Sequence, residues 1–348
     1  MSKRQREDGA EHESLNGKKA RVGQPADLNH NDYTIGWICA LPKEQTAAIA
    51  MLDERHPDLQ SPVNDDSIYI LGSMEGHNIV ITCLPKGRCG TNPAATIATR
   101  MVSTFPSIKF GLVVGIGGGI PSKVRLGDVV VSAPIDQYPG VVQWDFGKAE
   151  DGGNFRRTGS LNSPPNALLI ALAKLESDHE LYGETKIPGF LDDMKRKWPK
   201  LNPKYFWNSF LKDPSRTPDA FSRDRVSGEI EQVENAATTV ALNELPMRYP
   251  DVHYGLIASG NQVIKDAVAR DRLDENLGGN VLCVEMEAAG IMNDFPCLVI
   301  RGICDYADSN KNKDWQEYAA AVAAACAKEV LSVLQVKAVE HMDSVKGT

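Results

Sequence analysis

Two apolar runs near the C-terminal end of the chain each close on a carboxylate. The first is Val281-Leu282-Cys283-Val284-Glu285, which continues into Met286-Glu287-Ala288-Ala289-Gly290. The second is Cys297-Leu298-Val299-Ile300-Arg301-Gly302-Ile303-Cys304-Asp305. Short continuous apolar runs of this kind read as buried strands. A buried strand gains nothing from a carboxylate unless that group has a partner. In open α/β sheets, ligands bind in the crevice at the carboxyl ends of the strands. Glu285, Glu287 and Asp305 are therefore expected to face a ligand. The competing reading is that they open helices, where the macrodipole favours negative charge.

The rest of the chain alternates in the same way. Tyr33–Ala40 reads as a buried strand, and Pro42 opens a helix to about Leu52, since the first helical N–H needs no internal partner. Ile68–Met74 and Asn78–Leu84 form a hairpin pattern turning at Glu75-Gly76-His77, with a helix from about Pro93 to Met101. Lys109–Val114 is a strand that runs into Gly115-Ile116-Gly117-Gly118-Gly119. Gly127–Ser132, Gly140–Phe146 and His253–Ser259 read as strands, and Pro164–Leu175 and Asn261–Arg270 as helices. An Ala-rich helix is expected from Asp314 to about Val336. Such alternation points to one α/β domain built on a central sheet.

Three stretches stand apart. Residues 1–31 are polar and mixed in charge, the composition of a disordered tail. Lys3-Arg4 and Lys18-Lys19-Ala20-Arg21 within it are spaced as in a bipartite nuclear-import signal, so cytoplasm and nucleus are both open as locations. Residues 183–250 are rich in Lys, Pro, Trp and Asp and read as an insertion with short helical pieces at best. Residues 338–348 are expected to be a flexible tail.

Charge and cysteine usage narrow the function. A net charge of -8 argues against a nucleic-acid surface, which usually shows a basic face. No apolar run approaches the roughly 18 to 20 residues of a membrane span, so no membrane partner is expected. The seven cysteines are scattered without a C-x-x-C pair, as free thiols in a reducing compartment. Neither they nor the seven histidines show metal-ligand spacing. No metal and no organic cofactor is expected.

Four blocks now carry a resemblance: Ile35-Gly36-Trp37-Ile38-Cys39-Ala40-Leu41-Pro42-Lys43-Glu44, Val114-Gly115-Ile116-Gly117-Gly118, Val284-Glu285-Met286-Glu287-Ala288 and Arg301-Gly302-Ile303-Cys304-Asp305. In this order and spacing, the chain resembles the nucleoside phosphorylase / methylthioadenosine nucleosidase superfamily over roughly residues 33–336. Val142-Gln143-Trp144-Asp145-Phe146-Gly147-Lys148 and Cys304-Asp305-Tyr306-Ala307-Asp308-Ser309 resemble its fungal branch. Domains of that branch also occur fused to immune receptors; this chain is expected to have no room for a second receptor module. The resemblance implies a single phosphorylase/hydrolase-type α/β domain over residues 32–337, with a central mixed β-sheet flanked by helices. It also implies a purine nucleoside as the small-molecule partner, cleavage of the purine–ribose bond, and a homo-oligomer, most simply a dimer.

That chemistry asks for separate groups. Breaking an N-glycosidic bond builds positive charge on the sugar and negative charge on the departing base, a problem parallel to glycoside hydrolysis with its two carboxyl groups. By resemblance, Asp305 is the acid that protonates the purine at N7. Near neutral pH this requires an apolar surround that keeps the carboxyl protonated, for which Val299, Ile303 and Cys304 are suited. A protonated carboxyl can donate to N7 and accept from a 6-amino group, which favours adenine. Glu287 matches the residue on the ribose 2′- and 3′-hydroxyls, Met286 lies against the sugar, and Glu285 either touches the diol or starts a helix. Gly260, Asn261, Gln262, Val263 and Ile264 match the loop that frames the base. Val263 stands where relatives place an aromatic, so Tyr306, Phe146 or Trp144 is left to stack on the purine.

The attacking nucleophile decides the class. Glu44 aligns with the carboxylate that activates water in nucleosidases, where hexameric phosphorylases have an arginine. Val113 and Ile116 stand in place of their second arginine and their serine. Gly117 and Gly118 permit close approach of backbone to water and ribose. A purine nucleosidase acting on adenosine is the reading that follows. Arg88, near a glycine-bearing turn, keeps a phosphorylase open. Lys148, Arg156, Arg157, Lys311 and Lys313 keep an ATP nucleosidase open. A non-catalytic nucleoside sensor is the third alternative, though a pure binder needs neither acid nor base.

Overall fold

The apolar runs become strands, and helices cover both faces of the sheet they form. The structure, a computed structural model, describes residues 28–213 and 249–347. In chain order the elements are β1 (Ile35–Cys39), α1 (Pro42–Met51), β2 (Glu54–Arg55), β3 (Ile70–Met74), β4 (His77–Cys83) and α2 (Thr91–Thr104). Then come β5 (Phe110–Gly119), β6 (Val129–Ser132), β7 (Val141–Gln143), β8 (Gly147–Glu150), β9 (Asn154–Arg157), α3 (Asn166–Tyr182) and α4 (Ile187–Lys197). The remainder is β10 (Val252–Ser259), α5 (Ala267–Asn276), β11 (Val281–Glu285), β12 (Cys297–Asp305), α6 (Gln316–Val333) and α7 (Val336–Glu340).

The main sheet runs β11-β10-β6-β12-β5-β1-β4-β3-β2, with β7 beside β10, while β8 and β9 form a separate ribbon. β4–β1–β5–β12 and β6–β10–β11 pair in parallel, whereas β6–β12, β3–β4 and β2–β3 are antiparallel. The sheet is thus mixed. β11 also pairs antiparallel with β5, at Cys283↔Gly119 and Val284↔Gly118. That pairing closes β5, β12, β6, β10 and β11 on themselves and brings the ends of β5, β11 and β12 together.

α1, α3, α4 and α6 share one hydrophobic core on one face of the sheet, and α2 with Ile291–Phe295 shares a second on the other. Every residue of α6 from Tyr318 to Leu331 is buried, which explains its alanines: small side chains let a central helix lie on the strands from all sides. A Cβ at Gly302 of β12 would run into the Ala319 carbonyl of that helix.

Several expectations shift. The glycine run is not a loop after a strand; Gly115–Gly119 are the second half of β5 itself. The expected helix at Asn261–Arg270 instead begins at Ala267, because Asp266 caps it by accepting from Val268 N and Ala269 N. Within 183–250, α4 and the Tyr205-Phe206 pair join the main core; residues 214–248 lie outside the described part. The expected tail at 1–31, with its basic clusters, also lies outside it up to residue 27. In the stretch expected to be a C-terminal tail, Lys109 Nζ donates to Met342 O at 2.7 Å and Val345 N to Ile108 O at 2.8 Å. Those bonds seat it against the loop that precedes β5. No helix among the described residues is long and apolar enough to cross a membrane.

Candidate active site

Four charged side chains meet where β1, β5, β11 and β12 end. Arg301 on β12 stands opposite Gly115 of β5 in the parallel register. Its side chain is fully buried, with Nη2 bonded to Glu285 Oε2 and 3.6 Å from Glu287 Oε2. A side chain at Gly115 would meet both Glu44 Oε1 and Arg301 Nη1, so glycine there makes room for the pair. Burial by itself would lower the Arg301 pKa, but Glu285, Glu287 and Glu44 together more than offset it and hold the guanidinium charged. An arginine inside an otherwise apolar strand was the available sequence signal for this centre, since arginine is almost never buried without partners.

Glu44 sits in the first turn of α1, after Pro42. Its Oε2 accepts from Ala40 N (2.7 Å) and Leu41 N (2.8 Å), and its Oε1 from Ile116 N (2.9 Å). A carboxylate offers about four acceptor positions; three are taken, which leaves one on Oε1. Burial raises its pKa, with Arg301 and the three amides pulling the other way. The carboxylate at the start of this helix thus also reaches the Arg301 cluster.

Glu285 is occupied differently. It accepts from Glu287 N (3.1 Å) and Ala288 N (3.1 Å) and pairs with Arg301. Those bonds shape the turn after β11 and aim Glu287, whose Oε1 accepts from Gly90 N at 3.2 Å. Of the two roles open to Glu285, this geometry fits the helix start, at the head of the short 3-10 turn Ala288–Gly290. Burial pushes the Glu287 carboxyl up to about 7, with Arg301 opposing and Glu285 and Glu44 adding to the rise. Met286, between them, is half-buried.

Asp305 ends β12 nearby. Its Oδ1 accepts from Ala307 N at 2.9 Å, while Oδ2 meets Cys304 Sγ and Lys311 Nζ, both at 3.1 Å. The surround is thus not the purely apolar one expected, because an ammonium is part of it. Ala307 takes a left-handed φ of 52°, and buried Arg270 donates to Tyr306 O at 2.7 Å; together they fix the turn that carries Asp305. A Cβ at Gly118 would stand 2.9 Å from Asp305 Oδ1, and one at Gly117 3.2 Å from Val284 O. These glycines therefore admit the protein's own groups.

The remaining candidates fall around this cluster. Asn261 Oδ1 accepts from Thr91 N and Thr91 Oγ1, each at 3.0 Å, and its N–H donates to Asp145 Oδ2 at 2.7 Å. It ties the loop after β10 to the start of α2, a link that sequence spacing did not show. Gln262 and Val263 are exposed. Of the three aromatics, Tyr306 is committed elsewhere, accepting from Leu126 N and donating to Asp213, and Phe146 is exposed. Trp144 lies against Gly260 in the loop itself. Arg88 sits in an exposed turn two residues before Gly90. Lys311, considered only for phosphate, stands at Asp305 instead. Arg156 pairs with Glu150 across the β8–β9 ribbon.

Away from the cluster, Asp128, Asp251 and His253 bring ligand atoms within 4.8 Å of one another at the amino ends of β6 and β10. Arg125 pairs with both aspartates there, and His253 Nε2 lies 3.0 Å from Asp128 Oδ2. A cavity of about 780 Å³ bordered by His179, Lys186, Phe190, Asp251 and Val252 lies at that same end, and Glu44, Glu285, Glu287 and Asp305 do not line it.

The model of the phosphorylase superfamily matches residues 34–335. A nucleotide-binding leucine-rich repeat (NLR)-like protein of Hyaloscypha variabilis is 47% identical over 93% of this chain, which spans 32% of that relative's length. A 5′-methylthioadenosine/S-adenosylhomocysteine nucleosidase of Mycobacterium bovis is 25% identical over 87% of this chain and 97% of its own. Among solved structures, a nucleosidase of that same description from S. pneumoniae superposes with a TM-score of 0.55 at 17% identity, covering 87% of this chain and 100% of its own. That likeness shows the fold: a mixed α/β domain with helices on both faces of a central sheet.

Proposed function

The chain belongs to the phosphorylase superfamily, and on that premise we propose that it is a purine nucleosidase, which uses water to split the N-glycosidic bond of a purine ribonucleoside. Adenosine is the substrate proposed first. The observation that carries the reading is the convergence of Glu44 and Glu287, from segments far apart in the chain, on the buried Arg301 of β12, the strand that ends in Asp305.

In this reading a water molecule donates to the one open acceptor position of Glu44 Oε1 and attacks C1′, with Glu44 taking the proton. Glu287 accepts from the ribose diol, and its charge offsets the positive charge that develops on the sugar. Asp305 protonates N7 as the C1′–N9 bond breaks, so that the base leaves neutral. Water rather than phosphate is favoured by the charges. A phosphate dianion is normally held by arginines, and the one guanidinium in the cluster is already engaged by Glu285 and Glu287. Ile116 N–H is spent on Glu44. Adenine is favoured by a carboxyl that can serve N7 and a 6-amino group together, and the mycobacterial relative is named for two adenosine derivatives. A homodimer is proposed by resemblance to the nucleosidases.

The test is product analysis with adenosine, with and without phosphate. Adenine and free ribose at equal rates in both would support hydrolysis. Ribose 1-phosphate formed only with phosphate would make the protein a phosphorylase and turn attention to Arg88. Adenine released from ATP but not from adenosine would move the substrate to nucleotides.

A further inference from the structure

Asp305 must give a proton to the departing base, yet its side chain is only 3% exposed and has little access to bulk water. Among the described residues, three hydrogen-bearing groups touch its carboxylate: Ala307 N, Cys304 Sγ and Lys311 Nζ. A backbone amide does not release its proton near neutral pH. Burial, and then the neighbouring Asp305 charge, push the Cys304 thiol well above the usual range, so it keeps its proton. Lys311 remains. Its side chain is 25% exposed, so one ammonium reaches both the sealed carboxylate and the solvent.

We propose that Lys311 supplies the proton that Asp305 delivers to the base, the two side chains working as one acid. The inference rests on the nucleosidase reading above. Lys311 Nζ and Asp305 Oδ2 stand 3.1 Å apart, close enough to pass one proton between them. As the C1′–N9 bond breaks, its electron pair moves onto the purine and N7 takes the proton from Asp305 Oδ2. That proton comes from Lys311 by way of Asp305, so the pair is left as the Asp305 carboxylate and the neutral Lys311 amine. The amine regains a proton from solvent, balancing the one that the attacking water loses through Glu44. Lys311 thus acts through Asp305, as a positioning and proton-supplying residue.

The full-length protein and its Lys311→Ala and Lys311→Arg variants, each checked for an unchanged melting temperature, are assayed on adenosine. Lys311→Ala is expected to lower kcat by roughly 10²–10⁴-fold, the usual worth of a general acid, with KM nearly unchanged. Added ethylammonium should restore part of the rate in a saturable way. Lys311→Arg should stay slow, because a guanidinium keeps the charge but does not part with a proton. Parental kcat in Lys311→Arg would show that charge alone suffices and would overturn the proposal. So would a Lys311→Ala variant that keeps its rate, or one that the amine does not rescue. A parent protein that releases no adenine from adenosine would sink the nucleosidase reading first, and this inference with it.

Discussion

Arg301 Nη2 bonds Glu285 Oε2 with both side chains shut off from solvent. One guanidinium thereby serves several carboxylates, with Glu287 3.6 Å away and Glu44 crowding the same glycine. Taking one partner out of a buried pair leaves uncompensated charge, which costs more than the pair itself is worth. Arg301→Met is therefore expected to lower stability by about 3–5 kcal/mol, read from urea unfolding. A loss under about 1 kcal/mol would mean that the carboxylates do not depend on it.

Glu287 should leave a mark on the pH dependence of stability. Its carboxyl, pushed up to about 7 from 4.5, ionises in the unfolded chain first. Between those values the folded state holds more protons than the unfolded one, so this group's contribution falls as pH rises through that window and levels off above it. Glu287→Gln removes the titration. Relative to the parent, the variant should gain on the order of 3 kcal/mol between about pH 4 and pH 8. Stability curves for the two proteins that run parallel over that range would contradict the assignment.

Gly118→Ala tests the placement of Asp305. The added methyl would stand 2.9 Å from Asp305 Oδ1 and 3.0 Å from Ala307 Cβ, and must shift that turn. A misplacement of about 1 Å can cost on the order of 100-fold in rate. A drop of that size in kcat is expected, with substrate binding weakened far less. An unchanged kcat would show that Asp305 need not be held where it is.

Asp305→Asn keeps the shape and removes the acid. Turnover on adenosine is expected to fall by roughly 10²–10⁴-fold with the melting temperature preserved. Full rate in the variant would take Asp305 out of the mechanism.

What the sequence made legible was local. Alternating strands and helices, and the carboxylates at the ends of β11 and β12, follow from apolar runs and their punctuation. What it hid depends on register between distant segments. Gly115–Gly119 read as a ligand loop because nothing local reveals that β11 returns antiparallel onto β5 there. Arg301 was visible as a residue but not as a centre, since its partners come from β11 and α1. Lys311 looked like a solvated charge because its reach back to Asp305 depends on the turn fixed by Ala307 and Arg270. The helix expected from Asn261 begins at Ala267, where Asp266 caps it, while the Asn261 side chain is engaged with Thr91, 170 residues away.

The most direct measurement is hydrolysis of adenosine by Glu44→Gln, alongside its affinity for a C-nucleoside analogue that cannot be cleaved. Gln keeps the volume but cannot take a proton from water. Analogue affinity within a few-fold of the parent, with adenine release reduced roughly 10²–10⁴-fold, is the expected result. Adenine release at the parental rate would mean that Glu44 only caps its helix, and that the water is activated by another group.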